Sequence, residues 1–297
     1  MRRGLSIFAL VAAVAGVPEP ALAWGFAAHR LIMRRAIDLL PPELKPLFDR
    51  YRDEVVTRSV DPDLWRQVGW EDDPNHFLDF GVEEYGSYPF AALPREHGAA
   101  LERFGAAMLK RNGLLPWREA EEFGNLRRAF EGFTRRALYA PTDVILFSAV
   151  AAHYMQDAHQ PFHATVNHDG QLTGNHGIHS RFERDLVERY HARLRLTPAT
   201  PLPVSGARDA AFDALLSGYQ LVPAILQADT EAVGDRELYD DQYFDRFFGK
   251  VQPILEQRLA QSITATASVI IGAWVQAGRP AVSVDEPRPI QKVRRAR

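Results

Sequence analysis

Two histidine–carboxylate pairs restrict this chain more than any other feature. His153 stands four residues before Asp157, and His163 follows just past Pro161; further along, His179 stands four residues before Glu183. On a helix, side chains four apart share a face, because one turn takes about 3.6 residues. Each pair therefore aims an imidazole and a carboxylate at one point. Imidazole plus carboxylate is a natural donor set for zinc. One such pair arises often by chance on a solvated face. Two pairs, with no Lys or Arg at those four positions to make a salt-bridged surface, point to a metal held between helices.

The rest of the chain supports an all-α fold, a single multi-helix domain with its metal cleft between facing helices. Leu31, Ile32, Ala36, Leu39 and Leu40 recur at helical spacing until Pro41 and Pro42 stop the run. Residues 43–56, 94–112 and 119–139 read as further helices, with Gly113 and Pro116 marking one junction. Pro141, Thr142 and Asp143 form a helix start, and that helix should run to about Gln160. Ile178, Phe182 and Leu186 make an apolar stripe beside His179 and Glu183, and a proline-rich turn follows at 199–204. The longest periodic run, 250–277, repeats Leu255, Leu259, Ile263, Ala267 and Trp274 and reads as a core helix.

Composition narrows the function. With 297 residues, 46% hydrophobic and 25% charged, the chain has the make-up of an ordinary globular protein. A net charge of −3 is not that of a polycation built to coat nucleic acid. There is no cysteine, so disulfides and thiolate zinc sites are excluded, and any metal must be held by His, Asp, Glu or backbone groups. Residues 1–23 read as an export signal: Arg2 and Arg3, an apolar run from Leu5 to Val17, then Ala21-Leu22-Ala23 as a cleavage site. The expected destination is the periplasm or the medium. No later stretch is expected to span a bilayer as a transmembrane segment. Residues 24–278 read as the domain, and 279–297, ending Lys292 to Arg297, as a disordered basic tail.

The histidines sort by pattern. His97, His168, His176 and His191 read as surface residues, and His159 as a core or supporting residue rather than a ligand. Glu188-x-x-His191 stands alone, whereas a di-iron bundle needs two such units. The His-Glu-x-x-His signature of zinc proteases is absent.

The run His153-x3-Asp157-x5-His163, followed by His179-x3-Glu183, resembles the zinc-dependent phospholipase C family. It is also similar to the related single-strand-specific nucleases. Both are exported, mostly helical enzymes with three clustered zinc ions. The segment Gly177 to Glu183 resembles the phospholipase form, in which Glu ends the pair. His159-Gln160-Pro161 resembles the nucleases instead. Members begin, after processing, with a Trp whose amine and carbonyl bind one ion. Here that residue is Trp24, with His29 after a short gap as in the nucleases. The phospholipases carry a longer insert before this His, part of their headgroup pocket. Asp61-Pro62-Asp63 resembles the segment that supplies a ligand Asp, taken as Asp63 with Asp61 as fallback, and Asp63-x2-Arg66 resembles the nucleases. His76-Phe77-Leu78-Asp79 looks like the element that supplies a further histidine.

Position by position, the resemblance implies one zinc held by Asp63, His76, His153 and Asp157, a second by His163, His179 and Glu183, and a third by Trp24 and His29 with Asp157 bridging to the first. It implies phosphodiester hydrolysis, with a zinc-bound hydroxide attacking phosphorus in line. Asp63 would orient the water, and Arg66 would contact the phosphate or hold Asp63. The expected substrate is a phospholipid headgroup, met by transient contact with a membrane surface. The alternative is single-stranded nucleic acid, for which Tyr85, Tyr88, Phe90 or the aromatic run 239–248 would offer stacking surfaces. A non-enzymatic helical metal-binding protein is the third reading, and it needs neither an open coordination position nor Arg66.

Overall fold

The computed structural model describes residues 24–284. About 67% of it is helical, with no strand among the described residues, so the class is all-α. One isolated bridge pairs Phe80 with Thr165.

The helix Ala140–Asp157 is the axis of the molecule. Every residue from Ser148 to Asp157 is buried, the condition of a helix enclosed on all sides. Around it pack Leu115–Thr134, Asp241–Gln276, Arg52–Arg58 and Phe26–Asp38. The buried apolar side chains form one connected cluster reaching from Trp24 to Trp274. Within Asp241–Gln276, Leu255, Leu259 and Ile263 are fully buried; each contributes on the order of 1.5–3 kcal/mol over an exposed position.

Prolines set several helix starts, where the missing N–H would have no partner in any case. Pro62, Pro116, Pro141 and Pro223 all fall in a first turn. The junction expected at Gly113 and Pro116 lies at Gly113 and Leu114, with Pro116 in the first turn of Leu115–Thr134, so the helix expected over 119–139 begins and ends earlier. Arg136, with φ of 55°, lies just past that end. The helix expected over 43–56 is two, Lys45–Arg50 and Arg52–Arg58, meeting at Tyr51. The one expected over 94–112 begins at His97 and is interrupted at Gly105. The long helix starts at Asp241 rather than 250, capped by Asp240 Oδ1 accepting from the Tyr243 N–H at 2.8 Å. It runs through Pro253, which lies on an exposed face.

Two further expectations change. By length and composition Asp241–Gln276 is able to cross a membrane, but 67% of its most apolar window is buried inside the protein. Residues 279–284 do not leave the fold as a tail: the Pro280 carbonyl accepts from Trp274 Nε1 at 2.9 Å, and Val282 and Val284 pack on the core. Residues 1–23 and 285–297, where the export signal and the basic end were expected, lie outside the described residues.

Candidate metal centre

Asp63 comes from the short helix Asp61–Gln67, His76 from the end of the turn Asp73–His76, and His153 and Asp157 from the axial helix. All four are buried. His76 Nδ1 lies 2.9 Å from Asp157 Oδ2 and 3.1 Å from His153 Nε2. Asp157 Oδ2 is 3.2 Å from His153 Nε2. Asp63 Oδ1 closes the group at 3.8 Å from His76 and 4.0 Å from His153.

The outer nitrogens of these rings are already engaged. His153 Nδ1 donates to the Ser59 carbonyl at 2.8 Å, which leaves a lone pair on Nε2. His76 Nε2 lies 3.1 Å from Asp72 Oδ2, so its Nδ1 faces inward. Asp72 is itself held by Tyr154 Oη and Asn75 Nδ2, each at 2.7 Å. Burial would raise the Asp72 carboxyl, but hydrogen bonds from His76 and Asn75 hold it at about 2. Such outer bonds fix tautomer and ring orientation in metal-ligating histidines. A single proton serves one contact of the convergent group, whereas a cation serves all four donors.

His29 builds a second point of convergence beside the first. Its ring stacks on His153 at 4.2 Å between centroids. Its Nδ1 lies 2.6 Å from Gln156 Oε1. Its Nε2 then points at Asp157 Oδ1, 3.4 Å away, and Asp63 Oδ2, 3.9 Å away. None of these three buried atoms has a hydrogen-bond partner. Buried polar groups are seldom left so, and three converging at one spot fit a bound cation. Asp157 thus faces the first group through one oxygen and the second through the other. Burial opposes its ionisation, but His153, His29 and His76 keep the carboxyl well below its ordinary range.

The third group is His163, His179 and Glu183, all buried. His163 sits in the turn Pro161–Ala164, which Pro161 opens and Gln160 caps. Gly177, at φ of 79°, turns the chain into Ile178–Ser180. The following turn, Arg181–Asp185, widens into a π-helix, a form frequent at functional sites. His179 and Glu183 still meet across it, Nε2 to Oε2, at 3.0 Å. His163 Nε2 is 3.2 Å from His179 Nε2 and 3.9 Å from Glu183 Oε2. Gln160 Nε2 donates to Glu183 Oε2 at 2.8 Å. Burial raises the Glu183 carboxyl, and His179 and Gln160 pull it partly back. His163 Nδ1 lies 4.0 Å from Asp157 Oδ1, so the third group borders the second.

The donors fit a metal. Ligands ~2.0–2.2 Å from a tetrahedral zinc stand ~3.3 Å apart, close to the spacings within the first and third groups. Three buried clusters of His and carboxylate are therefore able to hold metal ions: His29, His153 and Asp157; Asp63, His76 and His153; His163, His179 and Glu183.

Arg66 Nη2 donates to Asp63 Oδ1 at 2.9 Å. Asp61 pairs with Arg58 at 3.3 Å, so Asp63 is the one that reaches the cluster. Trp24 is buried, its indole donating to the Gln156 carbonyl at 2.8 Å, next to the His29 contact. His97, His168, His176 and His191 are exposed, and His191 bonds the Glu188 carbonyl rather than its carboxylate. His159 is a core residue whose Nδ1 donates to the Met155 carbonyl; burial and nearby Arg258 push it down to about 3. Of the proposed stacking surfaces, Tyr85, Phe90 and Tyr243 are buried, while Tyr88 and Tyr239 reach solvent.

Sequence reasoning missed Asp72, Gln156, Gln160 and the Ser59 carbonyl. Asp72-x3-His76 carries the same four-residue spacing that singled out His153 and Asp157. Gln156 and the Ser59 carbonyl are tertiary partners with no local signal, and the bond from Gln160 to Glu183 spans 23 positions. No family model matches the chain, and no curated protein matches it.

Proposed function

We propose that this chain is an exported zinc-dependent phosphodiester hydrolase of the phospholipase C type, akin to the superfamily that also holds the single-strand-specific nucleases. The observation that carries this reading is Asp157, whose two oxygens face two adjacent donor groups, with the third group at 4.0 Å from the same carboxylate. Closely spaced dications favour a substrate with concentrated negative charge, and a phosphodiester is the common one. Bound there, the ions would polarise the phosphate and make water nucleophilic at neutral pH.

The chain's own residues define the remaining roles. Asp63, His76, His153 and Asp157 would hold one ion. His163, His179 and Glu183 would hold another, with a donor fewer and room for substrate. His29 would hold a third with Asp157, joined by the amine of Trp24 once processing frees it. Arg66 holds Asp63 by one nitrogen and brings a positive charge to the edge of the site. In the reaction it would steady the carboxylate and offset phosphate charge. The Asp63–Arg66 pair is also what favours the nuclease reading of the same site, since its spacing resembles that branch.

The test uses the secreted, processed protein with its metal content measured and its N-terminus sequenced. Hydrolysis of a chromogenic phosphocholine ester, with three zinc ions per chain and Trp24 at the N-terminus, is the expected result. Hydrolysis of single-stranded DNA alone would move the assignment to the nuclease branch. Full metal occupancy with activity on neither substrate would leave the non-enzymatic metal-binding reading. An extra residue placed before Trp24 should disturb the His29 ion, because a peptide nitrogen does not replace a free amine; unchanged metal content would remove that chelate.

A further inference from the structure

A second feature stands apart from the metal groups. Between the helix Ala207–Tyr219, the helix Asp241–Gln276 and the extended segment 197–206 lies a cavity of about 780 Å³, within the size range of small-molecule sites. Much of its wall is apolar, from Leu202, Pro203, Val204, Ala214, Ala260 and Ala265. Leu202, on the covering segment, is 74% exposed, which leaves apolar surface at the cavity edge.

Arg258 lines this cavity at 1% exposure. Its Nε donates to the His159 carbonyl at 2.7 Å, and Nη2 to the Ala214 carbonyl at 2.9 Å. Its Nη1 donates to Ser217 Oγ at 2.9 Å and Gln261 Oε1 at 2.8 Å. Every acceptor is neutral, and no carboxylate among the described residues offsets the charge; burial alone lowers this guanidinium to about 10. Asp209 and Asp213 also line the cavity but are engaged by Arg95, at 3.6 and 2.6 Å. A buried cation without a counter-ion is costly. Four neutral hydrogen bonds orient the guanidinium but do not cancel its charge.

We propose that this cavity binds a small organic monoanion with an apolar body, of the medium-chain carboxylate class, its head on Arg258 and its tail along the 199–206 wall. A carboxylate head at the cavity wall beside Arg258 would supply the counter-charge that its four neutral acceptors do not, and a charge-assisted contact is stronger than a neutral one. The apolar wall selects against compact, strongly hydrated anions. The site does not depend on the function proposed for the metal groups.

Isothermal titration calorimetry of the full, metal-loaded chain tests this with octanoate, 1-octanol and inorganic phosphate as probes. Octanoate is expected to bind, with 1-octanol and phosphate each weaker by ~tenfold or more. Arg258 joins three parts of the fold, so Arg258→Gln risks loss of structure. Ala265→Phe fills the cavity from its wall and leaves every Arg258 hydrogen bond in place. With an unchanged circular dichroism spectrum, it should weaken octanoate by ~tenfold or more. The proposal is overturned by no octanoate binding, by equal binding of octanoate and 1-octanol, by phosphate binding as tightly as octanoate, or by octanoate affinity unaltered in Ala265→Phe.

Discussion

The group around His76 and His153 and the group around His163 and His179 use the same chemistry but are supported differently. In the first, each imidazole is fixed from behind, His153 by the Ser59 carbonyl and His76 by Asp72. In the second, neither His163 Nδ1 nor His179 Nδ1 has a partner, although both are buried. The first gathers four donors; the second gathers three, one of them reached across a widened helical turn. Fixed tautomers and a full donor set would suit retention of a bound ion, and three donors with unanchored rings would leave a coordination position open on one. One centre thus combines a rigid part and an adaptable part, joined through Asp157.

The largest test of this division is Asp157→Asn. The change keeps volume but removes the charge that the His76–His153 group shares with the neighbouring His29 group. Loss of metal from more than one group is expected, with hydrolysis of the phosphocholine ester down on the order of a thousandfold or more, because several kcal/mol of charge stabilisation goes with the ions. Loss of a single equivalent, measured by plasma mass spectrometry, would show the groups to be independent. Glu183→Gln is next. It should release one ion per chain and leave the rest in place, with activity falling on the order of a hundredfold. Loss of every ion in this variant would break the comparison, since the first group would then depend on the second.

The two groups also differ in how far they could be read from sequence. His153 with Asp157 and His179 with Glu183 were legible because helical spacing turns sequence distance into contact. The all-helical class was legible for the same reason. The grouping of Asp63, His76 and His29 with them came through a resemblance, and no local pattern would have supplied it: His29 meets Gln156 across 127 positions, and His153 meets Ser59 across 94. The π-turn at Arg181–Asp185 was hidden because a widened turn preserves the apolar stripe of Ile178, Phe182 and Leu186. Residues 279–284 were read with the basic end as one tail, since the Pro280 contact with Trp274 depends on the helix end turning back on itself. The choice between Asp61 and Asp63, two positions apart, fell to burial: Arg58 draws one outward and the cluster takes the other.

Smaller effects separate ligation from support. Asp72→Asn replaces no donor of the cluster but changes what stands behind His76. The affinity of the first group should fall by roughly 10–100-fold with stoichiometry restored at high zinc, the usual result of losing an outer carboxylate. A titration against a chelating dye measures this, and unchanged affinity would mean the His76 tautomer is set by the ion alone.

Gln160→Leu is the counterpart on the other side, and the smallest change expected. Gln160 Nε2 supports Glu183 by one hydrogen bond, and its Oε1 caps the turn that carries His163. The carboxylate keeps its contact with His179 when that bond is gone, and a single buried hydrogen bond contributes on the order of 1–3 kcal/mol. Affinity at this group should therefore drop by about tenfold, less than Asp72→Asn costs the first group. A drop larger than that of Asp72→Asn would reverse the comparison: the second group would then be the one whose geometry is set in advance, with Gln160 as its anchor and the unpartnered ring nitrogens incidental.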